Sequence, residues 1–163
     1  LERWGAEVKP DLTFRFNKTE LMFAKAESSL NDQFKIILAN FFPRYLKIIT
    51  ADKYREDILE VRIEGHTSSG WLGASSEDSA YIYNMALSQA RTRSALAYVL
   101  FLPEVAGDKK WLRKYLTANG LSSSKVILDG ENSENSERSR RVEFKIRTDA
   151  EGKIATILED VLP

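Results

Sequence analysis

Three short segments of the chain alternate between apolar and polar residues. They are "LTFRF" at residues 12–16, "ILEVRIEG" at 58–65 and "RVEFKIRT" at 141–148. A period of two sends neighbouring side chains to opposite sides of an extended chain, so each segment predicts a strand with one buried face and one solvent-facing face. A less regular apolar run, "SKVILD" from Ser124 to Asp129, predicts a fourth strand.

Apolar residues at spacings of three and four predict two long helices between these strands. The first is expected to bury Leu30, Phe34, Ile37 and Phe41, and the second to bury Ile82, Ala86, Ala90 and Leu96. Pro43 is expected to kink or end the first helix, with "YLKIIT" as a continuation. A third helix, "DKKWLRKYLTANG", is expected to stop at Asn119 and Gly120, a common helix ending.

Helices and strands therefore alternate, while the strands stay polar on one side. This order predicts an α/β (α+β) fold, a two-layer sandwich in which helices cover one face of a mixed sheet. The length of 163 residues fits one domain, with a core at about 12–147 and a short helix or mobile tail at 148–163. Two polar loops interrupt the pattern, at residues 68–79 and 130–139.

The charge balance excludes a strong long-range attraction to nucleic acid or to an acidic membrane surface. The 24 Lys and Arg residues equal the 24 Asp and Glu residues, so any charged ligand must be met by a local group. No cysteine is present, which removes disulfides and thiolate metal sites. The apolar runs are far shorter than the ~20 residues that span a bilayer. Because the sequence opens with Leu1, we expect an excised piece whose upstream anchor or export signal is not included.

The most informative arrangement of side chains lies in "YNMALSQAR", residues 83–91. Asn84, Leu87 and Arg91 fall at i, i+3 and i+7 of the second helix, so they form one stripe away from the predicted buried side. An amide, an apolar group and a guanidinium in line suit a small peptide-like anion, because arginine can bind a carboxylate with two parallel hydrogen bonds. In the alternative interpretation, Asn84 bonds a neighbouring loop and Arg91 pairs with a surface glutamate.

Other polar residues favour structural roles over catalysis. His66, the single histidine, is expected to be buried and hydrogen-bonded, since one histidine without spaced carboxylates does not make a metal site. A hydrolase that used Ser68 and His66 would need an orienting acid and an oxyanion hole, which the flanking residues do not supply. We therefore predict neither an enzyme nor a metal or other cofactor.

Acidic and basic clusters flank these motifs. Glu77 and Asp78 could act as an acid and base pair, but after Ser75 they fit a capping box at the start of the second helix. Arg140 and Arg141 precede the last strand, where either could bridge to the acidic loop before it or help to hold a bound carboxylate. These arginines do not predict nucleic-acid binding, since no aromatic platform accompanies them.

Four motifs in this order resemble the OmpA-like (OmpA/MotB C-terminal) domain family, which binds peptidoglycan. They are "FRFNKTEL" from Phe14, "EGHTSS" from Glu64, "NMALSQART" from Asn84 and "SRRVEFKI" from Ser139. The resemblance implies a single OmpA-like domain with a β-α-β-α-β-β arrangement. It also implies that Asn84, Leu87 and Arg91 contact the peptide stem of peptidoglycan, and that Arg91 binds a carboxylate of diaminopimelate.

The expected ligand-binding residues are Thr67, Ser68, Tyr83, Asn84, Leu87, Arg91 and Arg141. One departure from the family matters, because Ser68 stands where the family has the aspartate that holds the amine of diaminopimelate. Our hypothesis is that Glu77 or Asp78 supplies the missing carboxylate.

The resemblance implies a non-catalytic anchor that ties a membrane or envelope protein to peptidoglycan in the periplasm of a Gram-negative bacterium. The "GHTSS" variant and the enlarged loops are similar to the stator-type branch of the family, whose members are homodimers attached to the membrane by an upstream helix. The sequence leaves one alternative open, an interaction module that kept the fold and binds a protein partner through Trp71 and Trp111.

Overall fold

The computed structural model describes residues 2–149, which form a five-stranded sheet with helices packed against it. The elements are β1 (Ala6–Val8), β2 (Phe14–Phe16), α1 (Thr19–Met22), α2 (Asp32–Ile49), α3 (Asp52–Arg55), β3 (Ile58–His66), α4 (Glu77–Leu100), α5 (Lys109–Tyr115), β4 (Leu116–Gly120), α6 (Ser136–Ser139) and β5 (Arg141–Thr148). Two 3-10 helices lie at Glu2–Trp4 and Pro103–Asp108. The tail predicted at 148–163 lies outside the described residues from position 150 onward.

The sheet is mixed, with the strand order β1-β2-β5-β3-β4. The β3 and β4 strands pair in parallel, and the other neighbouring strands pair antiparallel. The predicted α+β class with a mixed sheet is confirmed, and all three alternating segments form strands. The β1 strand was not predicted, because three residues are too few to show a period. Within residues 2–149, no helix has both the length and the hydrophobicity to cross a bilayer.

An aromatic core covers the apolar face of the sheet. Phe144 in β5 is fully buried, and its ring centroid lies 5.2 Å from that of Phe41 and 6.0 Å from that of Tyr45, both in α2. Edge-on aromatic pairs of this kind add about 0.5–1.5 kcal/mol each beyond the area they bury. The predicted burial of Phe41 is confirmed. The α2 helix runs through Pro43 to Ile49, so the proline does not end the helix.

The buried side of α4 differs from the prediction. Its buried residues are Ala80, Asn84, Ser88, Arg91, Thr92, Ala95 and Val99. By contrast, Ile82 is 63% exposed, Ala86 is exposed, and Ala90 and Leu96 are only half-buried. The apolar period therefore selected the wrong face of this helix.

The cause is a very close contact between α4 and the sheet. A Cβ atom at Gly120 in β4 would lie 2.4 Å from the backbone nitrogen of Gln89, and one at Gly65 in β3 would lie 2.8 Å from Cγ2 of Thr92. Glycine is therefore required at both positions for the helix to approach the strands. Large apolar side chains have no room at this distance, so small and polar residues occupy the contact face.

The fourth strand lies earlier in the chain than predicted. The third helix ends at Tyr115 instead of continuing to Gly120, and residues 116–120 form β4, which pairs with Val61–Gly65 of β3. Tertiary pairing overrides the local helical pattern here, because Leu116 fits the buried edge of the sheet and Thr117 Oγ1 donates to Glu60 Oε1 at 2.7 Å. The run from Ser124 to Asp129 is not a strand, since only an isolated bridge joins Leu128 to Glu134.

The central part of the polar face of the sheet is buried, although the alternation predicted a solvent-facing surface, whereas Arg147 at the end of the same face is exposed. The charged side chains of the central part form a cluster that we call the ion-pair network, which comprises Arg15, Arg62, Glu64, His66, Arg141, Glu143 and Lys145. The side chain of Glu143 is 1% exposed, and its Oε1 accepts from Nε of Arg15 at 2.8 Å and from Nε of Arg141 at 2.7 Å. Mutual pairing allows charged groups to occupy this buried face.

Two acidic groups of this network have lowered pKa values. Burial by itself would raise the pKa of Glu143, but its hydrogen bond to Arg141 and that residue's charge hold it lowered from the ordinary 4.5 to about 2. The pKa of Glu64 is also lowered, because hydrogen bonds to His66 and Lys145 outweigh the effect of burial. Burial lowers the pKa of His66, against the opposing effect of the hydrogen bond that the ring donates to Glu64.

We predict that Gly120→Ala destabilises the domain by about 1–3 kcal/mol, because the new methyl group would press on the backbone of α4. The measurement is the free energy of unfolding in urea. Gly107→Ala is the matched control, since a Cβ at Gly107 meets no atom within 4 Å. Equal stability of the two variants would show that α4 does not need this close contact.

Acid is expected to weaken the fold through the ion-pair network. The contribution of Glu143 to stability is complete above its unfolded pKa of 4.5 and is lost as the pH falls toward 2, because its folded pKa is lowered. His66 acts in the same direction, since the unfolded chain binds a proton below about 6.5 before the folded chain does. We expect the free energy of unfolding to fall steadily from about pH 7 to about pH 3.

The Glu143→Gln variant separates this effect from the titration of other carboxylates. It should be less stable near neutral pH, because two arginines lose their partner. It should then lose less stability than the unmodified protein between about pH 4.5 and pH 3. The same slope in both proteins would contradict the assignment to Glu143.

Candidate functional site

Arg91 lies on the buried side of α4, where the sequence predicted an exposed cation. It is 8% exposed. Its Nε donates to the carbonyl oxygen of Glu27 at 2.8 Å, one Nη donates to that of Ala24 at 3.4 Å, and its guanidinium carbon lies 4.7 Å from the ring centroid of Phe23. The alternative interpretation, a pair with a surface glutamate carboxylate, is also wrong. Two backbone carbonyls and a ring orient the guanidinium without neutralising its charge.

A second guanidinium lies close to the first. Arg140 is exposed, and its positive charge, after burial, is the second cause that lowers the pKa of Arg91 from 12.5 to about 10. Arg91 therefore stays positively charged near neutral pH. Among residues 2–149, no carboxylate forms an ion pair with Arg91 or Arg140. The two arginines create a local excess of positive charge in a chain of zero net charge.

Asn84 and Tyr83 hold the loop that precedes α4. Asn84 is 3% exposed, and its Nδ2 donates to the carbonyl oxygen of Gly70 at 3.2 Å, so it bonds a neighbouring loop as the alternative interpretation proposed. Tyr83 is 49% exposed and stacks on Trp71, with ring centroids 5.4 Å apart. In the predicted stripe, Asn84 and Arg91 are therefore buried and Leu87 is half-buried.

Ser122, which the sequence analysis did not identify, joins β3 to α4. It is fully buried with a positive φ of 53°. Its carbonyl accepts from the amide of Thr67 at 2.9 Å, its amide donates to Oγ of Ser88 at 3.1 Å, and its Oγ donates to the carbonyl of Tyr81 at 2.7 Å. The segment that follows β3 is thereby fixed against the helix.

Thr67 and Ser68 follow β3 directly. The hydroxyl oxygen of Thr67 is buried and has no hydrogen-bond partner among the described residues. Ser68 is half-buried. Among residues 2–149, neither Thr67 nor Ser68 forms a hydrogen bond with the ring of His66, whose Nε2 lies 3.3 Å from Oε2 of Glu64. The predicted buried and hydrogen-bonded His66 is confirmed, and the serine and histidine contact that a hydrolase would need is absent from the described residues.

Glu134 brings a carboxylate to the position next to Ser68. The amide of Ser69 donates to Oε1 of Glu134 at 2.8 Å, and the hydroxyl of Ser69 donates to the other carboxylate oxygen. Glu134 lies 65 residues farther along the chain, in a polar loop without a recognisable motif. Sequence reasoning had no signal for this contact, because spacing does not reveal a pairing between two loops.

Glu77 and Asp78 are exposed in the first turn of α4, as the helix-start interpretation expected. The N-cap is Ser76 instead of Ser75, because Oγ of Ser76 accepts from the amide of Ser79 at 3.1 Å. Asp78 lies about 20 Å from Arg91 along the axis of α4, at a rise of about 1.5 Å per residue. Both carboxylates line an open cavity together with Ser69, the neighbour of Ser68, so the hypothesis that one of them supplies the carboxylate missing at Ser68 stays a prediction.

Arg141 and Trp111 point away from the surface. Arg141 is 5% exposed, and it bonds Glu143 and the carbonyl of Ser139 instead of the preceding acidic loop. Arg140, the neighbour of Arg141, is the one beside Arg91. Trp111 is 8% exposed and packs against Tyr115, so it offers little surface to a protein partner.

Glu64, His66 and Glu143 come within metal-binding distance of one another. Their ligand atoms lie within 4.8 Å. Each carboxylate oxygen nevertheless has a cationic neighbour: Arg15 and Arg141 bind Oε1 of Glu143, Lys145 lies 3.4 Å from its Oε2, and Arg62 and Lys145 lie within 3.2 Å of Glu64. A divalent cation would add to an existing excess of positive charge, so this cluster is an ion-pair network and not a metal site.

Comparison with known proteins identifies the family. No family model matches the chain. The sequence is 45% identical over 161 residues to the Zorya protein ZorB of an Escherichia coli strain, in an alignment that covers 98% of this chain and 68% of that protein.

Two solved structures share the fold. The periplasmic domain of Helicobacter pylori MotB is similar with a TM-score of 0.59 and 18% identity, over 96% of this chain and 90% of that chain. The cell wall anchor of the T6SS from Pseudomonas aeruginosa is similar with a TM-score of 0.57 and 20% identity, over 90% of this chain and 89% of that chain. The resemblance to the OmpA/MotB fold is thus confirmed, and the chain belongs to the ZorB family of MotB-like proteins.

Proposed function

We propose that this domain binds the peptide stem of peptidoglycan without catalysis, and so anchors a stator-type membrane protein to the cell wall. The observation that carries the proposal is the pair Arg91 and Arg140, two neighbouring guanidiniums without a carboxylate partner among residues 2–149. Arg91 keeps its full charge, because its partners among residues 2–149 are two carbonyl oxygens and the ring of Phe23. A ligand carboxylate would neutralise that charge with strong, charge-assisted hydrogen bonds.

The rest of the site suits a ligand with both an acid and an amine. The carboxylate of Glu134 is fixed beside Ser68 by two hydrogen bonds from Ser69, and a carboxylate can accept further bonds from an ammonium group. The free hydroxyl of Thr67 offers one more polar contact. Diaminopimelate carries a carboxylate and an ammonium on one carbon, and we propose it as the stem residue that is bound. In this proposal Glu134, and not Glu77 or Asp78, supplies the carboxylate that Ser68 lacks.

The relatives support the place of action. One structural neighbour is a periplasmic domain of MotB, and another is named as a cell wall anchor. We propose that this chain acts in the periplasm of a Gram-negative bacterium, as a homodimer joined to the membrane through another part of the protein. The competing proposal, a protein-binding module that uses Trp71 and Trp111, is weakened because Trp111 is buried.

The exposed arginine gives the clearest test of carboxylate binding. We expect Arg140→Glu to lower the affinity for purified peptidoglycan sacculi about 10-fold to 100-fold, because a charged hydrogen bond is worth about 1.5–3 kcal/mol. Its thermal unfolding midpoint should stay close to that of the unmodified protein, since the side chain is exposed. Arg138→Glu makes the same charge change at another exposed position and is the control. Equal retention of both variants on sacculi would refute the proposal.

A second experiment tests the role of Glu134 through the amine of the ligand. Glu134→Gln should weaken binding of a soluble stem peptide that contains diaminopimelate with a free ammonium group. The same substitution should have little effect on a peptide whose amine is acetylated, because the charge that Glu134 recognises is then gone. Calorimetric titration of both peptides measures the difference. Glu131→Gln, an exposed residue of the same loop, is the control, and equal losses for both peptides would exclude the contact.

A further inference from the structure

An open cavity lies between the loop before α4 and the first turns of that helix. Its volume is approximately 550 Å³, within the ~300–1,000 Å³ range of small-molecule sites. The lining residues that bear on its chemistry are Trp71, Tyr81, Ser76, Glu77, Asp78 and Ser123. The wall formed by Asp78 is about 20 Å from Arg91 along the helix, whereas Ser69, which bonds Glu134, lines the opposite end of the cavity.

The aromatic side of the cavity is rigid and accessible. Trp71 stacks on Tyr83 with an interplanar angle of 30°, and it also lines the cavity. Tyr81 is 38% exposed and Tyr83 is 49% exposed. Rings that are already ordered by stacking lose little conformational entropy when a ligand packs on them. The surface therefore suits a flat, partly apolar ring.

The opposite side of the cavity is acidic and rich in hydroxyl groups. Glu77 and Asp78 are exposed, and no described lysine or arginine forms an ion pair with either. Their carboxylates can accept hydrogen bonds from two adjacent hydroxyls of a ligand. None of the described residues that line the cavity is basic, which disfavours an anion. A wholly apolar ligand is disfavoured as well, because it would remove both carboxylates from water without a partner.

A sugar ring satisfies both sides at once. Its C–H face packs on an aromatic ring, and its hydroxyls donate to carboxylates. A small cation would meet only solvent-exposed acids, whose attraction is weak, and it would leave most of the volume unused. We propose that the cavity binds a neutral, hydroxyl-rich saccharide ring, namely one of the glycan strand. This proposal rests on the proposed function, because the glycan strand belongs to the same polymer as the stem peptide.

The loop that carries Trp71 is fixed at both ends. Glu134 bonds Ser69, Asn84 bonds the carbonyl of Gly70, and Ser76 caps α4. Asn84 and Glu134 thus connect the stem-binding residues with the aromatic side of the cavity. A polymer with peptides attached to a sugar chain would contact both sites through its two chemical parts, which raises the overall affinity without stronger single contacts.

The test uses two separate probes, a tetramer of N-acetylglucosamine and a soluble diaminopimelate stem peptide. We expect Trp71→Ala to lower the affinity for the tetramer at least 10-fold and to leave the affinity for the stem peptide within about 2-fold. Trp71→Phe should retain most of the sugar binding, because a ring is kept. Leu72→Ala is the matched control, since Leu72 is 96% exposed in the same loop.

The outcomes distinguish the two proposals. Loss of stem binding in Arg140→Glu with sugar binding intact supports both sites, whereas absence of stem binding in the unmodified protein refutes the proposed function alone. Absence of tetramer binding, or equal tetramer binding by the unmodified protein and Trp71→Ala, overturns the saccharide site. A dimer in sedimentation that Trp71→Ala abolishes also overturns it, by showing a self-association surface.

Discussion

Two positions without a side chain determine the distance between α4 and the sheet. The backbone of α4 lies almost directly on β3 and β4, so there is no space for a Cβ atom at Gly65 or Gly120. A helix this close cannot bury leucine or phenylalanine on its contact face. Small and hydrogen-bonding residues take that face, and the aromatic side chains of α2 supply most of the apolar core. This one distance therefore explains why α2 buries aromatic side chains and α4 buries small and polar ones.

A polar contact face also determines how the residues of the candidate site are held. Asn84, Ser88 and Thr92 find acceptors or donors in the loop before α4, in the turn after β4 and in the helix itself. These bonds leave the loops little freedom. Arg91 differs from them because it carries a charge, and its carbonyl partners orient the guanidinium but cannot cancel that charge. A chain without net charge thus retains a local positive charge at Arg91.

The sequence predicts the strands well and the buried side of α4 poorly, and the reason is physical. Strand alternation at residues 58–65 and 141–148 reflects a sheet with one apolar face, and the structure has that face. The helical period of α4 follows Ile82, which is exposed, because apolar periodicity finds the core only when the core side is apolar. "LTANG" has no alternation of its own and becomes β4 only through pairing with β3.

The candidate site could also be predicted only in part. Asn84 and Arg91 could be singled out from their spacing and motif, but their burial could not, since it depends on glycines in two distant strands. The contact of Glu134 could not be predicted from the sequence, because its partner Ser69 lies 65 residues away. The charged side chains of β5 were predicted to be exposed to solvent, but several of them are buried. Alternation indicates which face of the strand a residue occupies. It does not reveal the oppositely charged neighbours that allow a charged side chain to be buried.

Ser122 holds the loops around the candidate site without itself being one of the proposed ligand-binding residues. A serine at a positive φ costs about 1–2 kcal/mol relative to ordinary backbone, and three hydrogen bonds to β3 and α4 offset that cost. Glycine would tolerate the angle but would lose the hydroxyl bond, while alanine would lose the bond and keep the strain. If homologous proteins strictly retain serine here, the reason would be the backbone geometry that connects β3 with α4. A search restricted to ligand-contacting residues would overlook Ser122.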